Sequence, residues 1–202
     1  MTLGFLVGMH DDDSYMLGPD TYKPEPSVFY DWRFGKDGVP HPATCGTCGR
    51  KTDPDYVSPV FRVKRRNRDI TCTYDGYTLV SRRFKDVCEG ASCAGAVFVP
   101  LPADEAFFWL RSDRTIAFDA VARGTRFEKP CPACGTFYSV VGATPVRLRN
   151  AIPLGEGFYR TDLEFGSGHE QHPLLIVGVR TAEMLKAATL KGLELRKIDG
   201  GE

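Results

Sequence analysis

Short apolar stretches, broken every few positions by Gly, Pro and charged turns, set the pattern of this chain and predict many strands and few helices. The apolar opening run, residues 1–9, reads as a first strand that stops at the polar turn His10-Asp-Asp-Asp13. The aromatic stretch 28–34, set between Pro- and Gly-rich turns, reads as another. Residues 56–64 and 70–74 read as a strand pair around the turn Arg65-Arg66-Asn67, and 77–80 as the strand leading into Ser81. Ser81 is a helix N-cap, and the short helix after it reaches about Glu89 with Phe84, Val87 and Cys88 on its apolar face and Gly90 at its end. Further strands are predicted at 96–99, 107–111, 115–119, 125–128, 138–141 and 158–165. The continuous apolar run 174–179 has the character of a strand covered on both faces. Thr181 then caps the clearest helix, 182–190, with Met184, Leu185 and Ala188 inward, Glu183 in its first turn and Gly192 after it. Residues 193–198 alternate as a final strand.

These elements predict an α+β fold in one domain spanning 1–202, mainly antiparallel strands with two short helices. Two half-units stand out, about 41–100 and 127–198, preceded by strands within 1–40. Each half carries a Cys-x-x-Cys-Gly, then strands, a capped short helix, a Gly and a strand. Ser81-Arg-Arg-Phe-Lys…Gly95-Ala-Val-Phe-Val matches Thr181-Ala-Glu-Met-Leu-Lys…Gly192-Leu-Glu-Leu in kind and order. An internal duplication accounts for this, and so does chance likeness among short βαβ pieces.

Composition narrows the function. Lys plus Arg equals Asp plus Glu at 26 each, so no net field draws the chain to nucleic acid or an anionic membrane. No segment approaches the roughly 18 uninterrupted apolar residues of a membrane helix. The N-terminal run lacks the basic start and small-residue cleavage site of a signal peptide. The expectation is a soluble, cytoplasmic protein. Seven cysteines, four of them in two close pairs, then point to metal or redox chemistry rather than a disulfide framework.

Cys45-Gly-Thr-Cys48-Gly49 and Cys131-Pro-Ala-Cys134-Gly135 are the strongest chemical signal. Two thiolates separated by two residues reach one metal because the turn between them folds both sulfurs inward. The Gly that follows can take positive φ and let backbone N–H groups point at the sulfurs. Two such knuckles complete the tetrahedral Cys₄ shell of structural Zn²⁺. The pairs are about 80 residues apart, against about 15–20 in a compact ribbon, which makes the metal a clasp between distant parts of the chain. Two unconnected thiol pairs and a redox role are the alternatives. The redox motif needs a helix N-terminus, whereas Gly135-Thr-Phe-Tyr-Ser-Val-Val reads as a turn entering a strand.

The other candidates are weaker. Cys72, Cys88 and Cys93 read as buried free cysteines; Cys88 and Cys93 replacing a knuckle would lack the following Gly. His169-Glu-Gln-His172 has its histidines three apart rather than the four of a helical zinc motif, and reads as a solvated loop. His10-Asp-Asp-Asp13 reads as an exposed acidic turn. Arg62, Lys64, Arg65, Arg66 and Arg68 form the one basic cluster, the natural phosphate contact if the chain is a zinc-ribbon nucleic-acid binder. No phosphate-cradling loop, nucleophile elbow or paired-carboxylate motif stands out, so the chain reads as a non-enzyme.

The two Cys-x-x-Cys-Gly motifs, their long separation, and the ending Gly157-Phe-Tyr-Arg-Thr-Asp-Leu-Glu-Phe165, Leu174-Leu-Ile-Val-Gly178 and Lys191-Gly-Leu-Glu-Leu195 together resemble the double-CXXCG motif proteins, a paralogous family prominent in myxobacteria. The resemblance covers roughly residues 40–198. It implies an immunity protein that binds a cognate toxin passed between neighbouring cells and blocks its active site. Under that reading the candidate toxin contacts are Asp11, Asp12 and Asp13, suited to a basic nuclease, and Glu164, His169 and Glu170 in the loop 164–172.

Overall fold

Two sheets, each with a helix laid on its inner face, make up the structure. The computed structural model describes residues 1–17 and 41–200, and the strand predicted at 28–34 lies outside them. In chain order the strands are β1 (Thr2–Gly8), β2 (Ile70–Cys72), β3 (Thr78–Ser81), β4 (Ala96–Leu101), β5 (Asp104–Ser112) and β6 (Thr115–Ile116). They continue with β7 (Arg126–Cys131), β8 (Thr136–Val141), β9 (Phe158–Ser167), β10 (His172–Val177) and β11 (Glu194–Asp199). The helices are α1 (Arg82–Gly90), α2 (Ala120–Arg123) and α3 (Val179–Ala187). The seven-stranded sheet runs β11-β1-β10-β9-β8-β7, with β6 added parallel to β9, and the four-stranded sheet runs β2-β3-β5-β4. All other pairings between these strands are antiparallel. The predicted mixed, mainly antiparallel class is the class observed, with α2 as a third helix.

Alternation along the strands sorts side chains into three stacked cores. Val80 and Val177 point into the central one, which also holds Phe84 and Cys88 of α1, Ala182 and Leu185 of α3, and Phe108 and Phe158. Their neighbours Leu79 and Ile176 point the other way. Leu79 joins Met16, Phe61, Val63 and Tyr77, while Ile176 joins Leu3, Phe118, Phe165 and Ile198.

Three predicted elements are corrected. No strand forms over 56–64: the amides of Val63, Lys64 and Arg65 go instead to the carboxylates of Asp104 (3.1 Å) and Asp12 (3.0 and 2.7 Å). The predicted strand at 115–119 stops at Ile116, because Asp119 caps α2 by accepting from the Ala122 amide at 2.9 Å. The apolar run 174–179 is not one strand covered on both faces. It breaks at Gly178, the N-cap of α3, and only its last strand residues are deeply buried. Glycine is needed there because a Cβ would lie 2.7 Å from the Glu156 amide nitrogen. Thr181 is thus already inside the helix, and its hydroxyl accepts from the Gly157 amide at 2.6 Å rather than capping. Ser81, by contrast, caps α1 as predicted, accepting from the Phe84 amide at 3.2 Å.

The sheets contain a repeated unit. β2-β3-α1-β4 folds around β5, and β9-β10-α3-β11 folds around β1, so in each unit two parallel strands flank an antiparallel centre. The register matches: Leu79, Trp109 and Val99 lie side by side in one, and Ile176, Leu6 and Arg196 in the other. Both helices have nine residues, with N-caps Ser81 (φ −72, ψ 164) and Gly178 (φ −67, ψ 164) and C-caps Ala91 and Ala188. Left-handed residues follow at Ser92 (φ 50) and Thr189 (φ 48), then at Gly95 (φ 77) and Gly192 (φ 89). The contacts between units are reciprocal. The Phe158 amide that opens β9 donates to the Ala94 carbonyl (2.8 Å), and the Ile70 amide that opens β2 donates to the Lys191 carbonyl (3.3 Å). That exchange is the mark of a two-fold arrangement. The helix pairing read from the sequence shifts accordingly, from Ser81 with Thr181 to Ser81 with Gly178.

Candidate metal centre

Both cysteine pairs form the same local turn. In the first, a bridge between Thr44 and Lys51 closes a small loop, the Cys45 amide donates to the Arg50 carbonyl (2.8 Å) and the Gly49 amide to the Cys45 carbonyl (2.8 Å). In the second, Cys131 ends β7, Thr136 begins β8, and the Gly135 amide donates to the Cys131 carbonyl (2.9 Å). Gly49 and Gly135 take φ of 73 and 71, the left-handed conformation the motif predicts. Around Gly135 a Cβ would meet nothing within 4 Å, so backbone conformation alone calls for glycine.

The turns bring the four sulfurs together. Cys45 Sγ lies 3.9 Å from Cys131 Sγ, and Cys48 Sγ lies 3.6 Å from Cys134 Sγ, across 86 residues of chain. All four lie within 4.8 Å of one another. A tetrahedral ion with metal–sulfur bonds of about 2.3 Å sets its ligands about 3.8 Å apart, so the cluster has the dimensions of a four-coordinate thiolate site and can hold one metal ion. Among the described residues it is the one group of three or more His, Cys, Asp and Glu side chains with that geometry.

The thiols are tuned unequally. The Cys48 amide, helped by that of Thr47, lowers the Cys45 thiol, while burial pushes Cys48 up to about 12. Burial also raises Cys134, but the Thr136 hydroxyl at 3.1 Å, the Thr136 amide and the Cys48 and Cys131 thiols outweigh it and bring Cys134 to about 6. One member therefore ionises readily, and a bound cation would displace the protons of the others.

Side chains reinforce the junction. Arg50, two residues past the first knuckle, donates to Glu164 (2.8 Å) and to the Gln171 side-chain oxygen (3.2 Å). The Gln171 amide group in turn donates to the carbonyls of Phe137 (2.9 Å) and Tyr138 (2.7 Å) in the second knuckle's hairpin. Gln171 is 2% exposed, so the loop predicted to be solvated is solvated only in part: Glu170 and His172 are exposed and His169 is half-buried. Residues Gly168–Glu170 form one 3-10 turn, and β10 begins at His172. Neither histidine joins the sulfur cluster. Nothing in the sequence marks Arg50 or Gln171 for this role, since their partners are more than 30 residues away.

The two charged candidates turn out to face each other. Asp12 is buried, accepting from the Ser14 hydroxyl (2.6 Å) and the Lys64 and Arg65 amides. Asp13 pairs with the Arg65 guanidinium, and its carbonyl accepts from Lys64 Nζ (2.6 Å). The acidic turn is therefore not exposed throughout: His10 and Asp11 are exposed, Asp13 is half-buried against Arg65, and Asp12 is enclosed. Arg66 pairs with Asp104 (2.5 Å), Arg62 is exposed and Arg68 is half-buried. Glu164 is held by Arg50, His169 packs against the Tyr15 ring (5.9 Å between centres), and Glu170 is exposed.

Of the remaining cysteines, Cys88 is buried in the central core, while Cys72 and Cys93 are half-buried, so only Cys88 is as fully enclosed as predicted. No helix among the described residues is long and apolar enough to cross a membrane. No protein-family model matches the chain, and no curated protein matches it.

Proposed function

We propose that the chain is an immunity protein of the double-CXXCG kind, which binds and neutralises a cognate bacterial toxin in the cytoplasm of the producing cell. The ion in its four-cysteine centre is taken to be structural Zn²⁺, because a closed all-thiolate shell suits a redox-silent ion with no open position for substrate. The observation that carries this reading is the convergence of the two Cys-x-x-Cys-Gly turns on one centre. It gives the resemblance in the motifs a physical form, a clasped scaffold that presents a rigid surface. Among the suggested toxin contacts, Asp11 and Glu170 are exposed, with Asp11 accepting from the Cys72 thiol (3.5 Å), while Asp12, Asp13 and Glu164 already serve the fold.

Co-expression with the product of each adjacent gene tests the proposal. Rescue of growth from one toxic product, with a complex of the two proteins surviving gel filtration, is the expected outcome. Absence of rescue and of complex with every adjacent product contradicts it. The alternative, a zinc-ribbon nucleic-acid binder, would need Arg65 and Arg66 to leave Asp13 and Asp104 before meeting phosphate.

A further inference from the structure

Beside the first knuckle, where the two sheets meet, a cavity of about 510 Å³ opens between the units. Its walls come from the knuckle's tail, from β3 and β5, from β9 and β10, and from Cys134 of the second knuckle. Its size falls within the range of small-molecule sites, and a cleft between packed units is where such sites are common.

The charges around it do not balance. Arg50, Lys51, Arg111 and Arg160 line the cavity together with Asp55 and Glu164. Both carboxylates are already engaged: Glu164 by Arg50 at 2.8 Å, and Asp55 by Arg111. Among the described residues Lys51 and Arg160 have no carboxylate partner. His172, whose pKa is held below its ordinary value first of all by burial, lines the cavity as well. Lys51 spends one of its three donors on the Asp75 carbonyl and lies 4.9 Å from the centre of the Tyr77 ring. Enclosure already works against its charge. The charges of Asp75 and Glu164 offset part of that burial penalty, and an anion that reaches the ammonium directly offsets more.

Part of the wall is aromatic. The rings of Tyr77 and Trp109 lie 4.7 Å apart between centres, and the Arg111 guanidinium covers Trp109 at 4.6 Å. The ring planes are tilted by 51° and Tyr77 is buried, so what a planar group can meet is the Arg111 guanidinium layered on Trp109.

We propose that this cavity binds a small organic anion, whose carboxylate or phosphate meets Lys51 and Arg160 while its planar body lies against the layer of Arg111 and Trp109. The cavity adjoins the sulfur centre at Cys134, but the proposal is independent of the toxin reading: it stands or falls on ligand binding by the isolated chain.

Trp109 is one of two tryptophans, so the full-length metal-loaded chain carrying Trp32→Phe reports on the cavity through its emission. The probes are adenosine monophosphate and benzoate, with adenosine as the uncharged ring and inorganic phosphate as the anion alone. The expected result is saturable quenching by at least one charged ring, with Kd below about 1 mM, and none by adenosine. Arg160→Gln should weaken that binding about tenfold while leaving the melting temperature unchanged. Lys51→Gln should do the same; if it perturbs folding, Arg160→Gln still decides the matter. Quenching by the charged ring and not by phosphate assigns Arg111 and Trp109 a part in binding. Failure of both charged rings to bind, equal binding of adenosine, or binding unaffected by Arg160→Gln overturns the proposal.

Discussion

Three donors converge on the Asp12 carboxylate, which has no solvent-accessible surface: the Ser14 hydroxyl and the amides of Lys64 and Arg65. The second and third hold a segment that has no strand partner, so this one side chain replaces a ladder. Asp12→Ala would leave both amides without an acceptor, and each such group costs about 1–3 kcal/mol when buried. The variant should lose about 3 kcal/mol of stability by urea unfolding, whereas Asp11→Ala, at an exposed neighbour, should stay within about 0.5 kcal/mol of the parent. Equal losses would mean that Asp12 does not organise the 62–65 segment. Residue-scale reading of the sequence succeeds where the chemistry is local. Cys-x-x-Cys-Gly carries its turn, its sulfur pair and its left-handed glycine within five residues. It fails at Asp12, whose partners lie 52 and 53 residues away, and an acidic run looks the same in sequence whether it faces water or backbone amides.

At the scale of elements, α1 is legible because Ser81 combines a capping side chain with a clear apolar face. α3 is displaced by three residues because its N-cap, Gly178, is selected by the close approach of Glu156 and not by capping chemistry. The glycine after each helix has the same double constraint. Gly95 and Gly192 take positive φ, and a Cβ would stand 2.4 Å from the Phe158 carbonyl in one case and 2.5 Å from the Ile70 carbonyl in the other. Gly95→Ala and Gly192→Ala should therefore each cost about 2 kcal/mol or more, from left-handed backbone strain and displacement of the facing strand. Gly90→Ala is the control: a Cβ there meets nothing within 4 Å, and the helix end should gain about 0.5 kcal/mol. Thermal unfolding of the three variants checks the set. If either post-helix variant is as stable as the parent, the reciprocal contact between the units is looser than described.

For the whole molecule, the mixed class and the presence of two similar halves are readable from strand patterning, helix caps and the paired motifs. The central strand of each unit is not. β5 follows its unit along the chain, while β1 comes from the far N-terminus, so laying the halves side by side in sequence cannot pair them. The symmetry exists in register and hydrogen bonding, and it unites segments that sequence order separates. The sulfur centre joins the loop ahead of the first unit to the hairpin ahead of the second, with Arg50, Glu164 and Gln171 as a polar brace beside it. Structural zinc contributes about 10–16 kcal/mol in small peptides, comparable to the entire stability of a domain at about 5–15 kcal/mol, so such a clasp would govern whether the units stay assembled. Zinc-edge X-ray absorption on the purified protein tests this most directly. The account predicts one ion per chain in a shell of four sulfurs at about 2.3 Å with no nitrogen or oxygen ligand. A mixed shell, or fewer than four sulfurs, would contradict it.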